Sequence, residues 1–329
     1  MRNSNTTDAL VAGIQAGDRA LLGRALTLVE SNAPEDRRRA QQLLSAILPF
    51  SGAAHRVGIT GVPGVGKSTF IEAFGLRLLE HDHRVAVLAV DPSSSVSKGS
   101  ILGDKTRMEQ LARDPGAFIR PSPSQTHLGG VARRTREAVA LCEAAGYDIV
   151  LIETVGVGQS ETVVDEISDL FILLLAPAGG DELQGVKRGI MEMADLIIVN
   201  KADGDLKPAA TRTCSDYAGA LRLLRKRPQD PPGYPKAMMV SAMEQSGLAD
   251  AWSEMQTLAN WRRENGHWDK RRAQQARYWF VQELRLALLA RLEDPEVQDQ
   301  IEALGTQVAD GILGPSLAAQ KLLAGLDRG

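Results

Sequence analysis

The chain has 329 residues, is 43% hydrophobic and carries a formal net charge of −3. That is ample material for a large core, and it excludes any general electrostatic attraction to nucleic acid. No uninterrupted apolar run is long enough to span a bilayer as a helix.

Residues 1–50 read as an N-terminal helical segment. Leu22, Leu26 and Val29 share one face, and "RRRAQQLLSAIL" follows Pro34 with the same period. "PFSGAAH" interrupts that pattern as a short linker. The start, "MRNSNTTDAL", has neither a secretory apolar core nor an Arg-rich presequence, and Cys142 and Cys214 lie far apart without metal-ligand spacing. We therefore expect reduced thiols and a cytoplasmic location.

Over residues 51–257 apolar runs alternate with helical stretches. The runs are "RVGIT" (56–60), "RVAVLAV" (84–90), "DIVLIE" (148–153), "LFILLLA" (170–176), "DLIIVN" (195–200) and "KAMMVSA" (236–242). Short, β-branched runs separated by helices such as 67–80 predict an α/β fold built on a mostly parallel, doubly wound sheet. Residues 258–329 are different again. All four tryptophans fall at or after the end of the α/β region, and Val281, Leu284, Leu288 and Leu292 form one helical stripe beside a second begun by Leu286 and Leu289. A helix apolar on two sides packs against two things, one of which is expected to be a second subunit.

Within the first βα turn, "GVPGVGKST" fits G-x-x-x-x-G-K-[ST] without deviation, after a strand and at the opening of a helix. Gly61, Val62, Pro63, Gly64, Val65 and Gly66 would wrap phosphate oxygens with backbone N–H groups. Lys67 would neutralise the β- and γ-phosphates, Ser68 would ligate magnesium and Thr69 would lie near the α-phosphate. The base is predicted from "NKAD". Guanine presents a ring N–H beside an exocyclic amine, and the carboxylate of Asp203 can accept both, a pairing adenine does not offer. Asn200 would hold the imidazole edge of the base and the stem of Lys201 would cover its face. Ser241, Ala242 and Met243, ending the next strand, would offer N–H groups to the guanine carbonyl. GTP is thus expected rather than ATP.

Three acids fall near the same edge. Glu153 ends the run "DIVLIE" ahead of the glycine-punctuated loop "TVGVGQSE", Asp91 ends "RVAVLAV", and Asp104 lies in "KGSILGDKTRM". Grouped about one Mg²⁺, they would supply ligands and electrostatic positioning, and spacing does not say which of them touches the ion.

Taken in order, "GITGVPGVGKST", "AVDPSS", "GSILGDKTRM", "RPSPS…LGGVA", "ETVGVGQSE", "GGDELQGVKRGI" and "NKAD" resemble the methylmalonyl-CoA mutase-associated GTPases of the MeaB/ArgK type. These form a branch of the metal- and cobalamin-handling phosphate-loop GTPases. The resemblance covers the whole α/β region and is weaker at both helical ends. It implies that a glutamate, here Glu153, replaces aspartate in the magnesium-side motif. It implies a homodimer formed largely by the C-terminal helices, and a client that is methylmalonyl-CoA mutase or a related adenosylcobalamin-dependent mutase. Adenosylcobalamin would belong to that partner, with a cobalamin adenosyltransferase as a candidate third component. GTP would gate cofactor loading and ejection of damaged cofactor, with GTP turned over to GDP slowly until the mutase completes the site. The resemblance also marks the loop 179–190, with Asp181, Glu182, Gln184 and Lys187, as the segment that reports nucleotide state. Two rival readings are a metallochaperone GTPase for nickel, cobalt or zinc, which would want a Cys- or His-rich delivery motif, and a small-molecule or protein kinase, which would want an acceptor pocket.

Overall fold

The computed structural model describes residues 6–90, 108–121, 128–154, 160–177 and 188–326. Seven strands form one sheet: β1 (His55–Thr60), β2 (Val85–Val90), β3 (Ala117–Arg120), β4 (Ile149–Thr154), β5 (Leu170–Leu175), β6 (Leu196–Val199) and β7 (Lys236–Met239). Their order is β3-β2-β4-β1-β5-β6-β7, and every pairing is parallel. The expected sheet is therefore parallel throughout. Strands β2, β4, β5 and β6 are buried along their whole length, which explains why they read as continuous apolar runs.

The strand β3 has no counterpart among the apolar runs. Its four residues, Ala-Phe-Ile-Arg, form an edge strand beside β2, too short to leave a pattern. The run 236–242 yields a strand only to Met239. Val240 still donates to Val199 O at 2.9 Å, and the chain then turns so that Ser241 and Ser246 exchange backbone hydrogen bonds.

Three helices precede the sheet, α1 (Thr7–Gln15), α2 (Arg19–Glu30) and α3 (Pro34–Ile47). Asp18 caps α2 by accepting from the N–H groups of Ala20 and Leu21, and Pro34 occupies the first turn of α3, where no N–H is required. Leu22, Leu26 and Val29 are buried, the face expected from their spacing, and Ala25 is buried with them. Between strands run α4 (Lys67–Leu79), α5 (Glu109–Arg113), α6 (Leu128–Ala144), α7 (Ser160–Asp165), α8 (Arg188–Met193) and α9 (Lys207–Arg222). After β7 come α10 (Leu248–Glu264), α11 (His267–Leu292), α12 (Pro295–Ala309) and α13 (Pro315–Leu326). Phe70, Ile71, Phe74 and Leu78 of α4 share a core with Leu248, Ala251, Met255 and Leu258 of α10 and with the apolar residues of the strands.

The chain divides into two compact units, Met1–Gln275 and Ala276–Gly329, so the boundary falls within α11. The sheet places a cleft at its centre. The connection leaving β1 runs toward the β3 edge and that leaving β4 runs toward the β7 edge, so the carboxyl ends of these adjacent strands form a switch point, where ligands bind in open α/β sheets.

Candidate functional site

At the end of β1 the chain leaves the sheet at Gly61, where an added Cβ would lie 2.5 Å from the backbone oxygen of Leu174 in β5. Only glycine permits that approach. Gly64 and Gly66 have φ of 84° and 89°, left-handed values that curl the loop before α4. Gly66 is the N-cap of α4 and gives it no side-chain cap, so the N–H groups of the first turn, beginning at Lys67, are left for an anion. Lys67 Nζ folds back over the loop and donates to Gly61 O at 2.8 Å and to Val62 O at 3.4 Å. Burial pushes its pKa below the ordinary lysine value, and the nearby Glu153 carboxylate works in the opposite direction.

Pairing of Ile59 with Glu153 sets the end of β4 beside the root of the loop. Glu153 is 4% exposed, and its Oε1 accepts from Ser68 Oγ at 3.3 Å. The next residue, Thr154, donates through Oγ1 to Thr60 Oγ1 at 2.9 Å, with both side chains buried. This pair ties the end of β4 to the end of β1. Sequence reasoning did not single it out, and its only signal is a threonine closing each of two strands.

Beyond β6, Asn200 is buried and joins three loops. Its Nδ2 donates to Val65 O at 3.1 Å and Gly66 O at 3.4 Å, and its Oδ1 accepts from Ala242 N at 3.3 Å. A side chain at position 66 would meet Asn200 Nδ2 at 2.9 Å, a second reason for glycine there. Lys201 has a left-handed φ of 56° and donates through Nζ to Gly64 O at 2.7 Å. Asp203 Oδ2 accepts from Ser241 Oγ, which in turn accepts from Glu244 N at 3.0 Å. Ala242 is buried and Met243 exposed.

The structure thus brings together residues 61–69, Glu153, Asn200, Lys201, Asp203 and 241–242 at one sheet edge. Asp91, Asp104, Asp181, Glu182, Gln184 and Lys187 lie outside the described residues. Among the described residues no group of three or more His, Cys, Asp or Glu side chains is close enough to hold a metal ion.

A glycine loop after the central strand of a parallel sheet, its lysine over the loop and an Asn-Lys-x-Asp turn fastened to it, defines a P-loop GTPase. The family model described as "Methylmalonyl Co-A mutase-associated GTPase MeaB" matches residues 22–296, and the chain belongs to this family. A Mycobacterium tuberculosis protein named as a GTPase is 50% identical over 98% of this chain and 95% of its own length. GTPase ArgK of Escherichia coli is 48% identical, covering 85% of this chain and 84% of that protein. The mouse "Methylmalonic aciduria type A homolog, mitochondrial" is 46% identical over 96% of this chain and 78% of its own. Among solved structures, one named as a "LAO/AO transport system kinase" superposes with a TM-score of 0.75 at 36% identity, over 99% of both chains.

Proposed function

We propose that this GTPase is a chaperone of methylmalonyl-CoA mutase or a related adenosylcobalamin-dependent mutase, using GTP to gate cofactor loading and to protect or reactivate the enzyme. The observation that carries this reading is the joining of the phosphate loop, the Glu153 strand end and the Asn200–Asp203 turn at one sheet edge, in a family named for association with that mutase. Residues 61–69 wrap the phosphates, and Lys67 neutralises the β- and γ-phosphates. Its depressed pKa suits this role, since phosphate charge restores the proton preference that burial removes. Asp203 accepts the two guanine donors, Asn200 and Lys201 hold the edge and face of the base, and the Ser241–Met243 turn meets its carbonyl.

Ser68 Oγ and the Glu153 carboxylate, 3.3 Å apart, form an oxygen pair of the kind magnesium takes. We assign Mg²⁺ to this pair, with Asp91 and Asp104 as further acids. The ion supplies neutralisation of phosphate charge when bound. Glu153 is held by burial at a fixed strand end, so it can orient a water or an ion without first being ordered. The segment containing Asp181, Glu182, Gln184 and Lys187 is proposed to carry the nucleotide state to the client. We also propose a homodimer built by the C-terminal helices, within a domain organisation of 1–50, 51–257 and 258–329, and a cytoplasmic location. No helix among the described residues is long and apolar enough to cross a membrane.

The test is GTP hydrolysis by the purified protein with and without purified methylmalonyl-CoA mutase, beside Lys67→Ala. The expected result is slow turnover, stimulated by the mutase and reduced about 10²-fold or more in the variant. Turnover unchanged by the mutase would remove this client. A kinase reading has one specific support, the solved relative at 36% identity that is named as a kinase. It would be favoured if the labelled γ-phosphate appeared on a protein or small acceptor instead of as free phosphate.

A further inference from the structure

The sheet edge opposite the phosphate loop, where β5, β6 and β7 begin, is also hollowed. Two cavities there, of about 450 and 410 Å³, share Glu192, Arg227 and Pro228 in their walls and so form one elongated trough. Its floor is a buried ion network. Asp195 accepts from Phe171 N at 2.9 Å, from Arg227 Nη2 at 2.9 Å and from Arg262 Nη2 at 2.6 Å. Asp230 accepts from the same Arg262 at 2.6 Å. On the walls, Asp165 is paired with Arg271 at 2.8 Å and Asp169 with Arg272 at 2.7 Å, and Glu192 has partners of its own.

The acids of the trough are therefore occupied, whereas three of its cations are not. Arg225 and Lys226 at one end and Lys270 at the other are exposed, and their side chains make no ion pair or hydrogen bond among the described residues. They belong to a trough bordered by a strongly basic stretch, "LRLLRKRPQ" (221–229), which contains no acid, in a chain whose net charge is −3. The uncompensated charge of the trough is positive, and the paired floor leaves these cations as the groups an incoming anion meets. Leu224 and Pro235 add an apolar wall beside Arg225 and Lys226.

A planar lipid surface does not enter a concave trough. Nucleic-acid bases want open aromatic faces to stack on, but Trp268 in the wall is buried and the His267 ring is already stacked on Trp261. An extended chain carrying carboxylates and an apolar side chain satisfies the shape, the charge and the Leu224–Pro235 wall together. We propose that this trough is a docking surface for an acidic polypeptide segment of a partner protein, on the opposite sheet edge from the nucleotide site. The inference does not depend on which mutase, if any, is the client.

The experiment measures binding of a short fluorescein-labelled peptide of alternating Glu, Asp and Leu to the full chain by anisotropy. Arg225→Glu, Lys226→Glu and Lys270→Glu combined should weaken binding at least about tenfold, with GTP hydrolysis unchanged as the check on folding. A control reverses Arg38, Arg212 and Lys321, exposed cations elsewhere that shift the net charge equally. The control should retain wild-type affinity for the peptide, and binding should weaken as salt rises. Equal loss in the control would reduce the effect to net charge and overturn the proposal. So would no binding by the wild type, or tighter binding to phosphatidylserine vesicles or to a single-stranded RNA than to the peptide.

Discussion

Asp203 and its neighbour Ser241 carry the base specificity we propose, through hydrogen-bond direction alone. An ionised carboxylate only accepts, so it fits the two adjacent donors of guanine. In Asp203→Asn one of those acceptors becomes a donor and faces the guanine amine. GTP affinity should fall about 10²-fold, because a buried polar mismatch replaces a charge-assisted pair. Xanthine has a carbonyl where guanine has that amine, so the variant should regain affinity for xanthosine triphosphate. Competition binding with both nucleotides reads the exchange, and an Asn variant still preferring GTP as strongly as the wild type would remove Asp203 from the base site. A second residue, His55 at the start of β1, governs stability instead. Its ring meets Trp252 and Trp268 edge-on at 5.8 and 5.5 Å, its Nε2 stands 3.0 Å from Arg263 Nη2, and its buried Nδ1 has no hydrogen-bond partner. Burial first, and the Arg263 charge second, lower its pKa from 6.5 to about 4. Between those values the unfolded chain takes up a proton that the folded one refuses. Stability therefore falls as pH drops through this window, by about 3 kcal/mol from this group, and no further below it. His55→Phe keeps an aromatic ring and cannot titrate. Urea unfolding at neutral pH and at about pH 4 should show a pH-dependent loss smaller by about that amount in the variant, and identical losses in the two proteins would contradict the assignment.

At its C-terminal end helix α10 is joined to the start of the sheet by the guanidinium of Arg262, in addition to its apolar packing. Arg262 donates to Asp195, to Asp230 and to the backbone oxygen of Asp169 at 3.0 Å. Burial alone would raise the Asp195 pKa, but Arg262 and Arg227 outweigh it and hold the carboxyl below its ordinary value. Arg262→Leu leaves that carboxylate underpaired and should cost about 3–5 kcal/mol in denaturant unfolding. Adding Asp195→Asn removes the orphaned charge and should recover part of the loss; a double variant no more stable than the single one would mean the network is not the source. None of this network could be read in advance, because Arg262 and Asp195 are 67 positions apart. The same applies to Thr60 and Thr154, 94 apart, which meet only after β1 and β4 pair in register. The glycine loop, the Asn200–Asp203 turn and the buried strands were legible because local chemistry dictates them. A loop around phosphates wants glycines, a guanine turn wants its carboxylate, and a strand covered on both faces wants unbroken apolar residues. The edge strand β3 meets no such demand along its four residues and left no trace.

For the molecule as a whole, residues 276–329 form a compact unit of helices. Phe280, Leu284 and Leu288 are 68%, 50% and 53% exposed there, with Ile312 and Leu323 exposed as well, whereas Val297 and Ala318 are buried. A unit so small cannot enclose all of its apolar side chains, and those along α11 recur at helical spacing, so they present a surface and not scattered residues. In the homodimer we propose, a second copy would supply a matching face by two-fold symmetry, each helix contacting its equivalent. Replacing Leu284 and Leu288 together by Glu puts like charges opposite one another across that axis, which costs several kcal/mol where the unmodified face gains from burial. Light scattering on a sizing column should give a dimer mass for the wild type and a monomer mass for the double variant at the same micromolar concentration. GTP binding should be unchanged, because the phosphate loop and the guanine turn both belong to the other unit. A wild-type chain that runs as a monomer would sink the dimer. A variant that remains dimeric would move the interface off this face.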